Sequence, residues 1–284
     1  MMPDMTADAG EQRWMKPTLG PQPAGAIVAT VAAILLAVCL AAALSVDVVK
    51  NGFGTKGDEA TYVSMALSVA FDHDLRYERR DLDRYVGLYR AGPAGIFLKR
   101  GSQPRHDHLY FGKAFIYPMV AAPFVRFLGL NGFLVLHVLL LFCVGMCGYA
   151  FLTARSRPGP ALAFTLAFLG ASCLPVYVVF LTPEVFNFSL VFFAYFLWCY
   201  KEVAPEERFH FIKGPWTDVV AALLLGAATY SKPSHALLIG PIVLWWWMRR
   251  RYRLGLVVGV VCVVMTTALF GVNAITTGDR KSVV

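Results

Sequence analysis

Residues 26–46 read AIVATVAAILLAVCLAAALSV, a run without a single charge. A bilayer hydrocarbon core of roughly 30 Å takes about 20 apolar residues in helical form, so this run predicts a membrane-crossing helix. The next stretch has the opposite character. Residues 47–113 hold 20 of the 44 Asp, Glu, Lys and Arg residues of the 284-residue chain. The whole chain is 57% apolar and only 15% charged, against roughly 25% charged in an ordinary soluble domain. That is too little polar surface to cover a water-soluble core, and too much apolar surface for a disordered chain. The composition therefore describes a membrane protein with one large polar insert.

The formal net charge of +8 comes largely from short clusters beside apolar runs, such as Arg249, Arg250, Arg251 and Arg253. Such clusters orient membrane proteins, and the pattern argues against nucleic-acid binding. The insert itself carries 11 basic and 9 acidic residues, so it is mixed rather than a basic patch. All six cysteines lie in apolar runs, which gives no disulfide framework. A cleavable leader would need a basic start and a shorter apolar core. Here Asp4, Asp8 and Glu11 offset Arg13 and Lys16, so the first run reads as an uncleaved span after a cytoplasmic tail over 1–25.

About seven spans are expected: 26–46, 131–153, 161–181, 184–200, 217–231, 235–248 and 254–272. The expected class is therefore an all-α polytopic membrane protein. Basic residues gather in loops on one side: Arg155 with Arg157, Lys201 with Arg208 and Lys213, and Arg249 to Arg253. That side reads as cytoplasmic. The stretch 114–130 is ambiguous, because it is apolar but carries Pro118, Pro123 and Arg126. Prolines remove backbone donors, which is costly in lipid. It reads as a non-spanning surface helix, which puts 47–130 outside as a large first loop and 273–284 outside as a tail.

Several residues in this frame could carry chemistry. Asp58 and Glu59 open a segment with Val63, Ala66, Leu67 and Ala70 at helical spacing. Asp58 reads either as a cap on that helix or as a positioned base. The mixed run Arg76 to Arg84 is either a solvated loop or a source of guanidinium groups for phosphate, Arg76 among them. Lys113 sits among interfacial aromatics and could attract a lipid phosphate. Glu184, in Thr182-Pro183-Glu184, and Lys232, in Ser231-Lys232-Pro233, stand at two outer turns, where ionisable groups near membrane depth suggest function. His106-Asp107-His108 resembles a metal clamp, but no further ligand spacing completes it. No cofactor is expected, and a divalent metal has no complete ligand set.

Taken in order, Gly57-Asp58-Glu59-x-x-Tyr62 with Asp74-Leu75, Tyr117-Pro118 to Phe124, Leu128 to Gly132, Thr182-Pro183-Glu184 and Ser231-Lys232-Pro233 resemble the GT-C membrane glycosyltransferases. The likeness is to the branch of protein O-mannosyltransferases and lipid A aminoarabinose transferases, over about residues 25–275. It implies a bacterial plasma-membrane enzyme whose first loop faces outward, with juxtamembrane helices in that loop. It also implies that Asp58 is the base and that Glu59 assists it or binds substrate; on their own chemistry, Glu184, Lys232, Lys113 and Arg76 are the candidates for binding substrate. The donor would be a sugar on a polyprenyl phosphate, and the acceptor a lipid, glycan or protein. Relatives of that kind are longer, so the chain matches their N-terminal portion, and they often carry Asp where Glu184 stands. A transporter or a non-catalytic membrane scaffold is the alternative. Transporters place charges near the midplane, whereas the charges here gather at the ends of the runs.

Overall fold

The computed structural model describes residues 23–102, 107–205 and 210–277. The tail over 1–22, His106, Arg208 and Lys281 to Val284 lie outside the described residues. In chain order the helices are α1 (Pro23–Ser45), α2 (Gly57–Asp72), α3 (Arg79–Tyr89), α4 (Ile116–Leu128), α5 (Asn131–Thr153), α6 (Pro158–Gly170), α7 (Leu174–Val178), α8 (Glu184–Val203), α9 (Trp216–Ser231), α10 (Gly240–Met248) and α11 (Tyr252–Thr277). The three strands are β1 (Arg76–Tyr77), β2 (Leu98–Arg100) and β3 (Leu109–Phe111).

The molecule is mostly helical, and three helices are long and apolar enough to cross a membrane: α1, α5 and α11. This marks a membrane protein, but the expectation of seven such spans is corrected. The run 161–181 does not form one helix. It breaks between α6 and α7, where Pro175 enters and cannot supply a backbone donor. The run 235–248 is half 3₁₀ turn, from Pro233 to Ile239, and half the nine-residue α10. Helix α9 has 16 residues, or about 24 Å of rise. Helix α8 has 20 residues but carries Glu184, Asn187, Lys201 and Glu202 near its ends. The stretch 114–130 forms the 13-residue α4, about 20 Å long, and does not have the length of a span.

Helix α4 lies against α2 instead. Arg126 donates to the Ala70 carbonyl at 3.2 Å, and its guanidinium sits 4.7 Å from the centre of the Phe71 ring. On the other side α4 turns sharply into α5. Gly129 has φ 60° and ψ −149°, a backbone region open essentially to glycine alone. Gly132 approaches the α4 backbone so closely that a Cβ there would lie 2.4 Å from the Phe124 carbonyl carbon. Asn131 closes the same corner. Its amide donates to the Ala43 and Val46 carbonyls at 2.8 and 2.7 Å, which caps the open carbonyls at the end of α1.

A buried relay ties α4, α5 and α7 together. The His137 Nδ1 lies 2.9 Å from the Val178 carbonyl. A carbonyl can only accept, so Nδ1 carries the proton and Nε2 accepts from the Tyr117 hydroxyl at 2.8 Å. The polar insert adds a small antiparallel sheet in the order β1-β3-β2, with Tyr110 opposite both Arg76 and Lys99. Its apolar side packs Phe111, Leu98 and Tyr77 beside Met65 of α2 and Tyr230 of α9. The insert is thereby docked onto one end of the helical bundle.

Candidate functional site

Helix α2 starts with Lys56 as its N-cap residue, with φ −134° and ψ 145° and no side-chain cap. Asp58 therefore sits inside the first turn and does not cap the helix. Its carboxylate turns outward and pairs with Lys113, Nζ to Oδ1 at 2.9 Å, with 49% of the Asp58 side chain exposed. The Lys113 ammonium also lies over the Phe97 ring, 4.3 Å from its centre. An aromatic face on one side and a carboxylate on the other hold that charge in place.

Glu59 points the opposite way. One oxygen accepts from the Gly54 amide at 3.1 Å and the other from the Leu181 amide at 2.9 Å. Both of those residues are buried. Glu59 thus clamps the loop after α1 to the turn before α8, and both carboxylate oxygens are occupied by backbone. This gives Glu59, expected to assist the base or bind substrate, a structural task in the fold. The loop it holds is fixed from above as well. Tyr85 donates to the Gly54 carbonyl at 2.7 Å and Tyr89 to the Phe53 carbonyl at 2.6 Å. Gly54 has φ +81°, and a Cβ there would lie 2.8 Å from both the Tyr89 hydroxyl and Val63.

Three residues beyond the clamped Leu181, Glu184 begins α8 and pairs with Lys232 at 2.8 Å. Lys232 is the residue that ends α9. Tyr62 follows one helical turn after Asp58 and is buried. Burial pushes its phenol well above the ordinary tyrosine range, and the carboxylates of Asp58 and then Glu184 push it further. It therefore stays neutral. Its ring meets Tyr117 edge-on at 5.6 Å. The result is two carboxylate–lysine pairs whose carboxylates both act on one buried phenol.

Of the residues predicted from sequence, Asp58 meets Lys113 and Glu184 meets Lys232. Arg76 does not join them. It is exposed on β1, opposite Tyr110. The neighbouring arginines are already neutralised, which removes the expected phosphate cluster. Arg84 pairs with Asp72 at 2.8 Å and Asp81 at 3.3 Å, Arg80 with Asp74 at 2.7 Å, and Arg79 with Asp83 at 3.0 Å. The Arg84 hydrogen bonds hold the Asp72 carboxyl below the usual carboxylate range. Sequence reasoning missed Phe97 beneath Lys113 and did not mark Tyr62 as the buried phenol on which both carboxylates act. The four-residue spacing from Asp58 to Tyr62 was the available signal.

Among the described residues there is no group of three or more His, Cys, Asp and Glu placed to hold a metal ion. Asp107 and His108 belong to the stretch that includes His106, which lies outside the described residues. No family model, curated protein or solved structure matches this chain. The site's own geometry therefore has to carry any reading of its function.

Proposed function

We propose that this protein is an integral membrane glycosyltransferase that moves a sugar from a polyprenyl-phosphate carrier to an acceptor at the outer membrane surface. The observation that carries the reading is the pairing of the half-exposed Asp58 carboxylate with Lys113, with a second carboxylate–lysine pair in Glu184 and Lys232. An acceptor hydroxyl is a weak nucleophile and needs a positioned base. The half-exposed Asp58 carboxylate takes its proton. The acceptor oxygen then bonds to the anomeric carbon, and the carbon–oxygen bond to phosphate breaks. The phosphate leaves with the electron pair. Lys113 and Lys232 offset its growing negative charge, an effect that is largest where water is scarce.

The carrier's tail needs an apolar path to this end of the molecule. A cleft of about 610 Å³ runs between α1, α5, α6 and α7, lined by Leu35, Cys39, Val46, Val138, Met146 and Val178 among others. Val46 and Val178 bring its end close to the Glu59 clamp and the His137 relay. In this reading the protein lies in a bacterial plasma membrane with the insert outside, and the segments from α6 to α10 pack against the three spans.

The test is mass spectrometry of envelope lipids and glycans from cells carrying the wild-type protein or Asp58→Asn. Loss of a sugar adduct in the variant, with the protein still present in the membrane, supports the reading. An unchanged adduct removes Asp58 as the base. Substrate flux without any transferred sugar would instead favour a transporter.

A further inference from the structure

We propose that the turn between α10 and α11 is a binding site for an anionic glycerophospholipid, with Arg250 and Arg253 holding its phosphate. This site requires that α11 cross a membrane and is independent of glycosyl transfer.

The turn is built from its own backbone. The Arg250 amide donates to the Trp247 carbonyl at 2.9 Å, and the Arg251 amide to the Trp246 carbonyl at 2.8 Å. The Arg251 carbonyl in turn accepts from the amides of Leu254 and Gly255 at 3.1 and 3.2 Å. Arg250 adopts a left-handed conformation, φ 57°, at the corner. The arginine side chains divide into two kinds. Arg249 pairs with Glu202 at 2.9 Å and lies 4.3 Å from the Trp245 ring centre, while Arg251 lies over Trp246. Arg250 and Arg253 are exposed and have no carboxylate partner among the described residues. At the head of a 26-residue apolar helix, Arg250 and Arg253 thus have neither a carboxylate nor a ring partner among the described residues, whereas Arg251, also without a carboxylate there, lies over Trp246.

The surface beside them is apolar and aromatic. Trp247 is 45% exposed, Met248 81%, Tyr252 60% and Leu256 61%. Trp247 is held in place, since its indole packs on Gly255, where a Cβ would lie 2.6 Å from Cδ1. From Leu256 the exposed face of α11 continues through Val260, Val263 and Val264. Charge and apolar surface therefore adjoin in the order a phospholipid needs. The phosphate meets guanidinium groups that fork onto two oxygens. The glycerol lies by the interfacial aromatics, and an acyl chain lies along the α11 face. A free phosphate would use only the first of these three features.

Native mass spectrometry of the purified protein, titrated with phosphatidylglycerol or phosphatidylcholine, tests the proposal. The wild type should retain phosphatidylglycerol in preference to phosphatidylcholine. The Arg250→Gln/Arg253→Gln variant should lose about 30-fold in phosphatidylglycerol affinity, the factor expected for two basic residues at an anionic surface, and keep its phosphatidylcholine binding. Raising salt from about 0.05 to about 0.5 M should release phosphatidylglycerol from the unmodified protein, because exposed charges are screened; this arm does not depend on how the variant folds. Inorganic phosphate should not displace the lipid. Equal retention of both lipids, salt-insensitive binding, an unaffected double variant, or displacement by inorganic phosphate would each overturn it.

Discussion

Glu59 is one residue from the proposed base, and its replacement separates structure from chemistry. In Glu59→Ala the amides of Gly54 and Leu181 lose their acceptor together. A buried donor left unsatisfied costs about 1–3 kcal/mol. Leu181 is fully buried and stands at the upper end of that range. The Gly54 loop borders exposed residues and relaxes toward water at the lower end. The expected loss is about 2–4 kcal/mol, or roughly 30- to 1,000-fold in the local opening equilibrium. Glu59→Gln keeps one carbonyl oxygen but turns an amide nitrogen toward the second N–H, so about half the loss is expected. Hydrogen exchange of residues 51–56 and 178–184 in detergent is the assay. Protection should fall in both segments at once, although they are far apart in sequence, and fall less elsewhere. Glu184 follows the released turn, so its pair with Lys232 should loosen too. Unchanged protection in Glu59→Ala would refute the clamp. Lost sugar transfer with both amides still protected would return Glu59 to the chemistry.

Other perturbations have equally definite outcomes. The Asp72 carboxyl titrates below its ordinary value because Arg84 binds its charged form. The folded state thus binds fewer protons than the unfolded one near that range, so this stabilisation is present above the unfolded carboxyl value of about 4 and is lost as pH falls through the folded value. Limited proteolysis of the insert should accelerate on acidification below about pH 4, and Asp72→Asn should flatten that dependence; an identical acid profile in the variant would refute it. Gly132→Ala forces a methyl onto the Phe124 carbonyl, which is backbone and cannot rotate aside. It should destabilise the α4–α5 corner by about 3 kcal/mol, read as a lower thermal transition in detergent, while Gly159→Ala, where nothing lies within 4 Å, should leave the transition in place.

Much of the architecture is local and so was legible in the residues. The runs behind α1, α5 and α11 are long and almost free of charge, and hydropathy alone marks them as spans. Pro118, Pro123 and Arg126 marked α4 as something other than a span, and the Gly129 to Gly132 turn marked its end. The same local logic overreached where runs were shorter. Residues 161–181 and 235–248 are apolar enough, but Pro175 and Pro241 each stand at the start of a new helix inside the run. The three strands have only two or three residues each, too few for an alternating pattern to show.

The order of residues was enough to mark the chain as a membrane protein, to bound its polar insert, and to show which ionisable residues stand at the ends of the apolar runs. The tasks of those residues depend on three-dimensional packing. Asp58 and Glu59 are neighbours with the same chemistry, yet one faces Lys113 across an exposed surface and the other binds an amide 122 positions away. Successive residues on a helix point about 100° apart, so adjacent carboxylates meet different surroundings. Which of the two meets solvent is settled by what packs on either side of α2. The arginines from 79 to 84 follow the same rule: their charge was plain in the sequence, but its neutralisation by Asp72, Asp74, Asp81 and Asp83 depends on how α2, β1 and α3 fold back on one another.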